Sequence, residues 1–76
     1  MQQLAWVSLE SSVLESVAYQ SRSLWVRFRS REIYRYRNVP PGIYQQLLDA
    51  DSRGSYFNEH IRDAFPCDHL PRSFSA

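Results

Sequence analysis

Between Leu24 and Arg37 the chain alternates. Leu24, Val26 and Phe28, then Tyr34 and Tyr36, share one parity, while Trp25, Arg27, Arg29, Ile33, Arg35 and Arg37 hold the other. Successive side chains of a β-strand point to opposite faces, so this pattern reads as two half-buried strands with an apolar face turned to a core. Ser30 and Arg31 mark the reversal, and so short a link makes the pair antiparallel. For Val26, Phe28, Tyr34 and Tyr36 to share a face, the loop must hold an odd number of residues. A three-residue loop with a bulge, Ser30, Arg31 and Glu32, fits, with one of them at positive φ despite the absence of glycine.

Upstream, Val13 to Gln20 reads as a further strand with Val13, Val17 and Tyr19 on one side and Glu15 sharing it, and Ser21, Arg22 and Ser23 interrupt it. Downstream, Val39-Pro40-Pro41-Gly42 ends the strand series, because proline cannot donate to a ladder. Pro41 suits the first turn of a helix. Ile43, Tyr44, Leu47, Leu48 and Ala50 then fall on one helix face, and the helix is expected to stop near Ala50 or Asp51. Ser52 or Ser55 is placed to cap a second helix on which Phe57, Ile61 and Phe65 repeat every fourth residue until Pro66 closes it. The expected fold is α+β: a three-stranded antiparallel β-meander packed on one face by two C-terminal helices, in the order β-β-β-α-α. The domain is read as residues 7–66, with 1–6 and 67–76 as terminal extensions, the latter frayed or docked as an irregular arm.

The chain is 76 residues and 9.0 kDa, from which one small domain and not a two-domain enzyme is expected. Its aromatic content of 14% supplies the large rings by which a small domain buries area with few residues. Cys67 is the single cysteine, so no intrachain disulfide forms and a reducing, cytoplasmic setting is expected. No apolar run approaches the roughly 18 residues of a membrane span, and Met1 to Glu10 does not read as a secretory leader.

Net charge is only +1, yet all nine basic residues are arginine and their placement is uneven. Residues 22–42 carry Arg22, Arg27, Arg29, Arg31, Arg35 and Arg37 against Glu32 alone, while the segments before and after are net acidic. A nearly neutral protein can therefore present one strongly positive surface.

The succession Tyr19, Leu24-x-Val26-x-Phe28, Tyr34-Arg35-Tyr36, Val39-Pro40 with Tyr44 and Leu48, then Ala50-x-Ser52-x-Gly54-x-Tyr56-Phe57-Asn58 with Ile61-Arg62, resembles the KTSC domain. That family takes its name from the C-terminus of some lysyl-tRNA synthetases and also occurs as small stand-alone bacterial proteins. The resemblance covers roughly Val7 to Phe65. It departs from the family pattern at Arg31, where the hairpin often carries Gly. What it implies is the fold given above and, from the synthetase context, RNA or tRNA as a partner.

The strongest candidate site is the outer sheet face: Trp25, Arg27, Arg29, Arg35 and Arg37. Guanidinium groups hold phosphate through a planar fork of donors, and an exposed indole stacks on a base, so the set suits single-stranded nucleic acid. The alternative is a protein-interaction or homodimer surface built on Trp25 and Ile33. Tyr34 and Tyr36 share parity with Val26 and Phe28 and read as core, their hydroxyls reaching the rim toward Ser52 or a helix carbonyl. Ser52-Arg53-Gly54-Ser55 reads as a turn and cap, Gly54 relieving strain, rather than an anion cradle. Cys67, Asp68 and His69, with His60, make a poor metal set, and Asp49, Asp51, Glu59 and Asp63 lie on wet helix faces. No nucleophile elbow or phosphate loop is present. No cofactor, no metal and no enzymatic activity are expected.

Overall fold

Two tight reversals organise the sheet. Ser21 and Arg22 both take left-handed backbone (φ 52° and 63°), the conformation a two-residue hairpin turn demands, and they join β2 (Leu14–Gln20) to β3 (Ser23–Phe28) with Gln20 opposite Ser23. The next turn closes on Phe28 and Glu32, whose backbone N–H and carbonyl bond at 2.9 Å, and leads into β4 (Ile33–Tyr36). Its three loop residues are therefore 29–31, one position earlier than the expected 30–32. The left-handed residue is Arg31 at φ 78°, the last of the three, as a turn followed by a bulge requires.

The computed structural model describes residues 4–74, and its sheet has five antiparallel strands in chain order, not three. The two extra strands are edges: β1 (Val7–Ser8) pairs with β2, and β5 (Cys67–Leu70) pairs with β4. Neither is long enough to show a period in sequence. The residues read as an irregular C-terminal arm thus include a regular strand, and the sheet continues past residue 66.

A bulge between Leu14 and Ser16 corrects the reading of β2. The extra residue reverses the side-chain parity at the strand's start. Leu14 faces Phe28 and is fully buried, whereas Val13, assigned to the core side, is 44% exposed. Glu15 turns to the outer face beside Arg27.

Pro41 opens α1 (Pro41–Asp49), and Ser52 caps α2 (Arg53–His60) by accepting from the Ser55 N–H at 3.3 Å. Gly54 has ordinary negative φ, so it relieves no strain; it lies against Ser11 and Val13. α2 stops at His60, short of the expected Pro66. The Phe57 carbonyl accepts from both Ile61 and Arg62, and the turn that follows leads the chain to Pro66, whose carbonyl accepts from Arg37 N–H. Leu47, Phe57 and Ile61 close over Leu14, Val17, Leu24, Val26 and Tyr36 to make the core. Rings knit it together: Phe57 meets Phe28 and Tyr36 edge-on at 5.4 Å, and Tyr19 stacks on Tyr44 at 4.8 Å. The Tyr19 hydroxyl donates to the Val39 carbonyl. Among the described residues no helix is long and apolar enough to cross a membrane.

Candidate nucleic-acid interface

With the helices on one face, the strand register lays out the other as two rows. One is Ser16, Arg27, Ile33 and Leu70; the other is Ala18, Trp25, Arg35 and Asp68. The face is partly self-covered. Ser16 and Ala18 are buried, and Ile33, expected among the exposed residues, is only 2% exposed because Arg27 and Leu70 flank it on the neighbouring strands. Long arginine stems cover apolar surface while keeping their heads in water.

The five predicted site residues divide. The Arg35 guanidinium lies over Trp25, its carbon 5.6 Å from the ring centroid, and its Nε donates to Ser23 Oγ at 3.2 Å. Arg27 stands 4.4 Å over the Trp6 ring, with Nη1 3.9 Å from Glu15 Oε2. Both residues are only partly buried, and cation–π and exposed ionic contacts of this kind are weak enough to exchange for a phosphate. Arg37, beyond the end of β4, donates from Nε to Asp68 Oδ2 at 3.1 Å. Arg29 leaves the patch: it donates to the backbone carbonyls of Ser11 and Leu9, both at 3.0 Å. Trp25 is half-buried rather than fully exposed.

Two arginines join the face that parity alone did not place there. Arg31 and Arg72 line a depression of about 440 Å³ with Arg27, Glu15 and Ile33. Arg31 gets there through its left-handed turn, and Arg72 because β5 carries the tail back alongside β4. The odd-numbered loop that strand parity required, with Arg31 among its members, was the available signal for the first; nothing in the sequence marks the second. Glu32 tempers this end, lying 4.0 Å from Arg72 and 3.1 Å from His69. A second hollow, about 370 Å³, opens beside Trp25 and is walled by Leu4, Leu70 and Phe74.

The remaining candidates fall elsewhere. Tyr36 is buried in the core and Tyr34 stacks on His69 at 4.7 Å, and neither hydroxyl meets Ser52, which is taken up by Ser55. His60 lies against Tyr56, and among the described residues no three His, Cys, Asp or Glu side chains gather as a metal ion would need.

The family model of the KTSC domain matches residues 10–65. This chain belongs to the KTSC family. Its relatives include an uncharacterised protein of Stutzerimonas stutzeri, 47% identical over 55 residues that span 70% of this KTSC domain chain and 78% of the relative. A lysine–tRNA ligase of Nostoc punctiforme is 33% identical over 63 residues, 80% of this chain but only 11% of the ligase. The crystal structure of a KTSC domain protein from Yersinia pestis superposes with a TM-score of 0.86 at 28% identity, covering 90% of this chain and 99% of that one. The similarity thus spans nearly all of that solved chain but only a small part of the ligase, and β5 lies beyond the segment that the family model matches.

Proposed function

We propose that this KTSC domain is a noncatalytic binding module that holds RNA or another single-stranded nucleic acid on its arginine face. The observation that carries the reading is the convergence of Arg27, Arg31 and Arg72 on one depression beside the Arg35–Trp25 pair. Three guanidinium groups around a concave surface suit phosphate oxygens, and a half-buried indole at the side suits a base. The similarity to a segment of a lysine–tRNA ligase supports RNA as the polymer. Titration of labelled single-stranded RNA at two salt concentrations tests it. Binding is expected at low salt, with log K falling against log salt by about 0.7 per phosphate neutralised. Arg27→Glu combined with Arg35→Glu is expected to abolish it. No binding at low salt, or binding unchanged in the double variant, overturns the reading.

A second reading rests on the hollow beside Trp25, where Leu4, Leu70 and Phe74 stand next to Gln20, Ser21, Ser23 and Arg35; a mixed lining of this kind suits a protein partner or a second copy of the chain. Sedimentation over a range of concentrations separates the two: concentration-dependent association with no RNA affinity favours this one.

A further inference from the structure

On the helix side of the sheet, away from the arginine face, the end of α2 and the start of β5 enclose a hollow of about 440 Å³ that neither reading above uses. Its apolar walls are the rings of Phe28, Tyr34 and Phe57. Its polar lining is Asn58, Arg62 and Asp63, with the Tyr36 side chain at the base.

This lining is unspent. Arg62 and Asp63 are adjacent, opposite in charge and exposed, and neither forms an ion pair among the described residues. The exposed Asn58 amide has no hydrogen bond among the described residues. Tyr36 is 3% exposed as a residue, and its hydroxyl, which makes no hydrogen bond among the described residues, is not one of the fully enclosed polar atoms: it opens to solvent at the hollow. That hydroxyl is within electrostatic reach of Arg62, Asp63 and the Cys67 thiol, so the charged groups and the buried phenol address the same space.

The charge pattern selects the ligand. One guanidinium beside one carboxylate gives a hollow of no net charge, and a nucleotide or polyphosphate would bring its charge against Asp63. A purely apolar molecule would cover both ions without pairing them, which is costly. A ligand carrying both signs close together, attached to an apolar body, satisfies all three features. We propose that the hollow binds a free α-amino acid with an aromatic or large apolar side chain: its carboxylate on Arg62, its ammonium on Asp63, and its side chain against Phe28, Tyr34 and Phe57. Asn58 and the Tyr36 hydroxyl supply the remaining hydrogen bonds.

The probe is L-phenylalanine, added to the full chain and followed by amide chemical shifts, with phenylacetate and phenethylamine as analogues lacking one charge each. A dissociation constant on the order of millimolar is expected for so small a ligand. Shifts should centre on Tyr34, Tyr36 and residues 57–63. Saturation should also slow alkylation of the exposed Cys67 thiol, which lines the same hollow. Each analogue, and each of Arg62→Gln and Asp63→Asn, should bind at least about tenfold more weakly, the loss of one charge-assisted contact. Absence of shifts well above millimolar ligand, shifts confined to the Trp25 face, or phenylacetate binding as tightly as phenylalanine overturns the proposal. So do variants that keep full affinity. The analogue series needs no variant, and neither the probes nor these residues bear on RNA binding, so the two ideas stand or fall separately.

Discussion

Arg29 Nη2 donates to the backbone carbonyl of Leu9 at 3.0 Å, fastening the turn after β3 to the segment that joins β1 to β2. Leu9 is itself 5% exposed, so the bond holds a core residue's backbone in place. This arginine is a structural staple, although its neighbours two residues before and after line the arginine depression.

Replacing it should separate stability from binding. Arg29→Ala removes two bonds to carbonyls at a partly exposed site and is expected to cost about 1–2 kcal/mol, read as a lower urea midpoint at unchanged slope. RNA affinity should change far less than in Arg27→Ala. An unshifted midpoint with lost affinity would reverse the assignment.

Arg31 is expected to move the two properties in opposite directions. Its φ of 78° is costly for any residue with a Cβ, so Arg31→Gly should stabilise the domain by roughly 0.5–1 kcal/mol in the same denaturation assay. The same change takes one guanidinium from the depression, and the salt slope of RNA binding should fall by about 0.7. A stabler variant with an unaltered slope would remove Arg31 from the interface.

Tyr36 makes stability depend on alkaline pH. Burial, then the neighbouring Cys67 and Tyr34, push its pKa from 10.0 up to about 12 against the opposing pull of Arg62. The folded state therefore holds the phenolic proton more tightly than the unfolded chain. The resulting stabilisation is complete below pH 10 and is lost as pH climbs through about 12, by on the order of 2 kcal/mol. Urea midpoints followed across that interval should drop more steeply in the natural chain than in Tyr36→Phe; parallel profiles would contradict it. Tyr44, raised by burial as well, contributes in the same sense to both.

The parts of this fold legible in the residues were those with a period. Leu24 to Phe28, the α1 face and the Ser52 cap all stand where side-chain spacing and capping chemistry put them. The bulge in β2 escaped because one inserted residue exchanges Val13 for Leu14 in the core without altering composition. The edge strands escaped because two and four residues carry no measurable alternation. For the candidate site, parity placed Trp25, Arg27 and Arg35 on one face. It was blind to where a flexible guanidinium ends, so Arg29 went to a backbone carbonyl and Arg72 arrived by way of a strand pairing. Ile33 illustrates the same gap: facing outward is not being exposed when neighbouring strands supply long stems.

The C-terminal strand has a bearing on how this molecule meets its own copies. It is four residues long and bracketed by Pro66 and Pro71, neither of which offers an N–H, while at the opposite margin of the sheet only Val7 and Ser8 are paired. Short margins interrupted by proline are poor templates for adding another strand. Growth of the sheet from molecule to molecule, the ordinary route from a small β-rich domain to fibrils, is thereby blunted at both ends. Whatever this domain grips, it is built to grip with its faces.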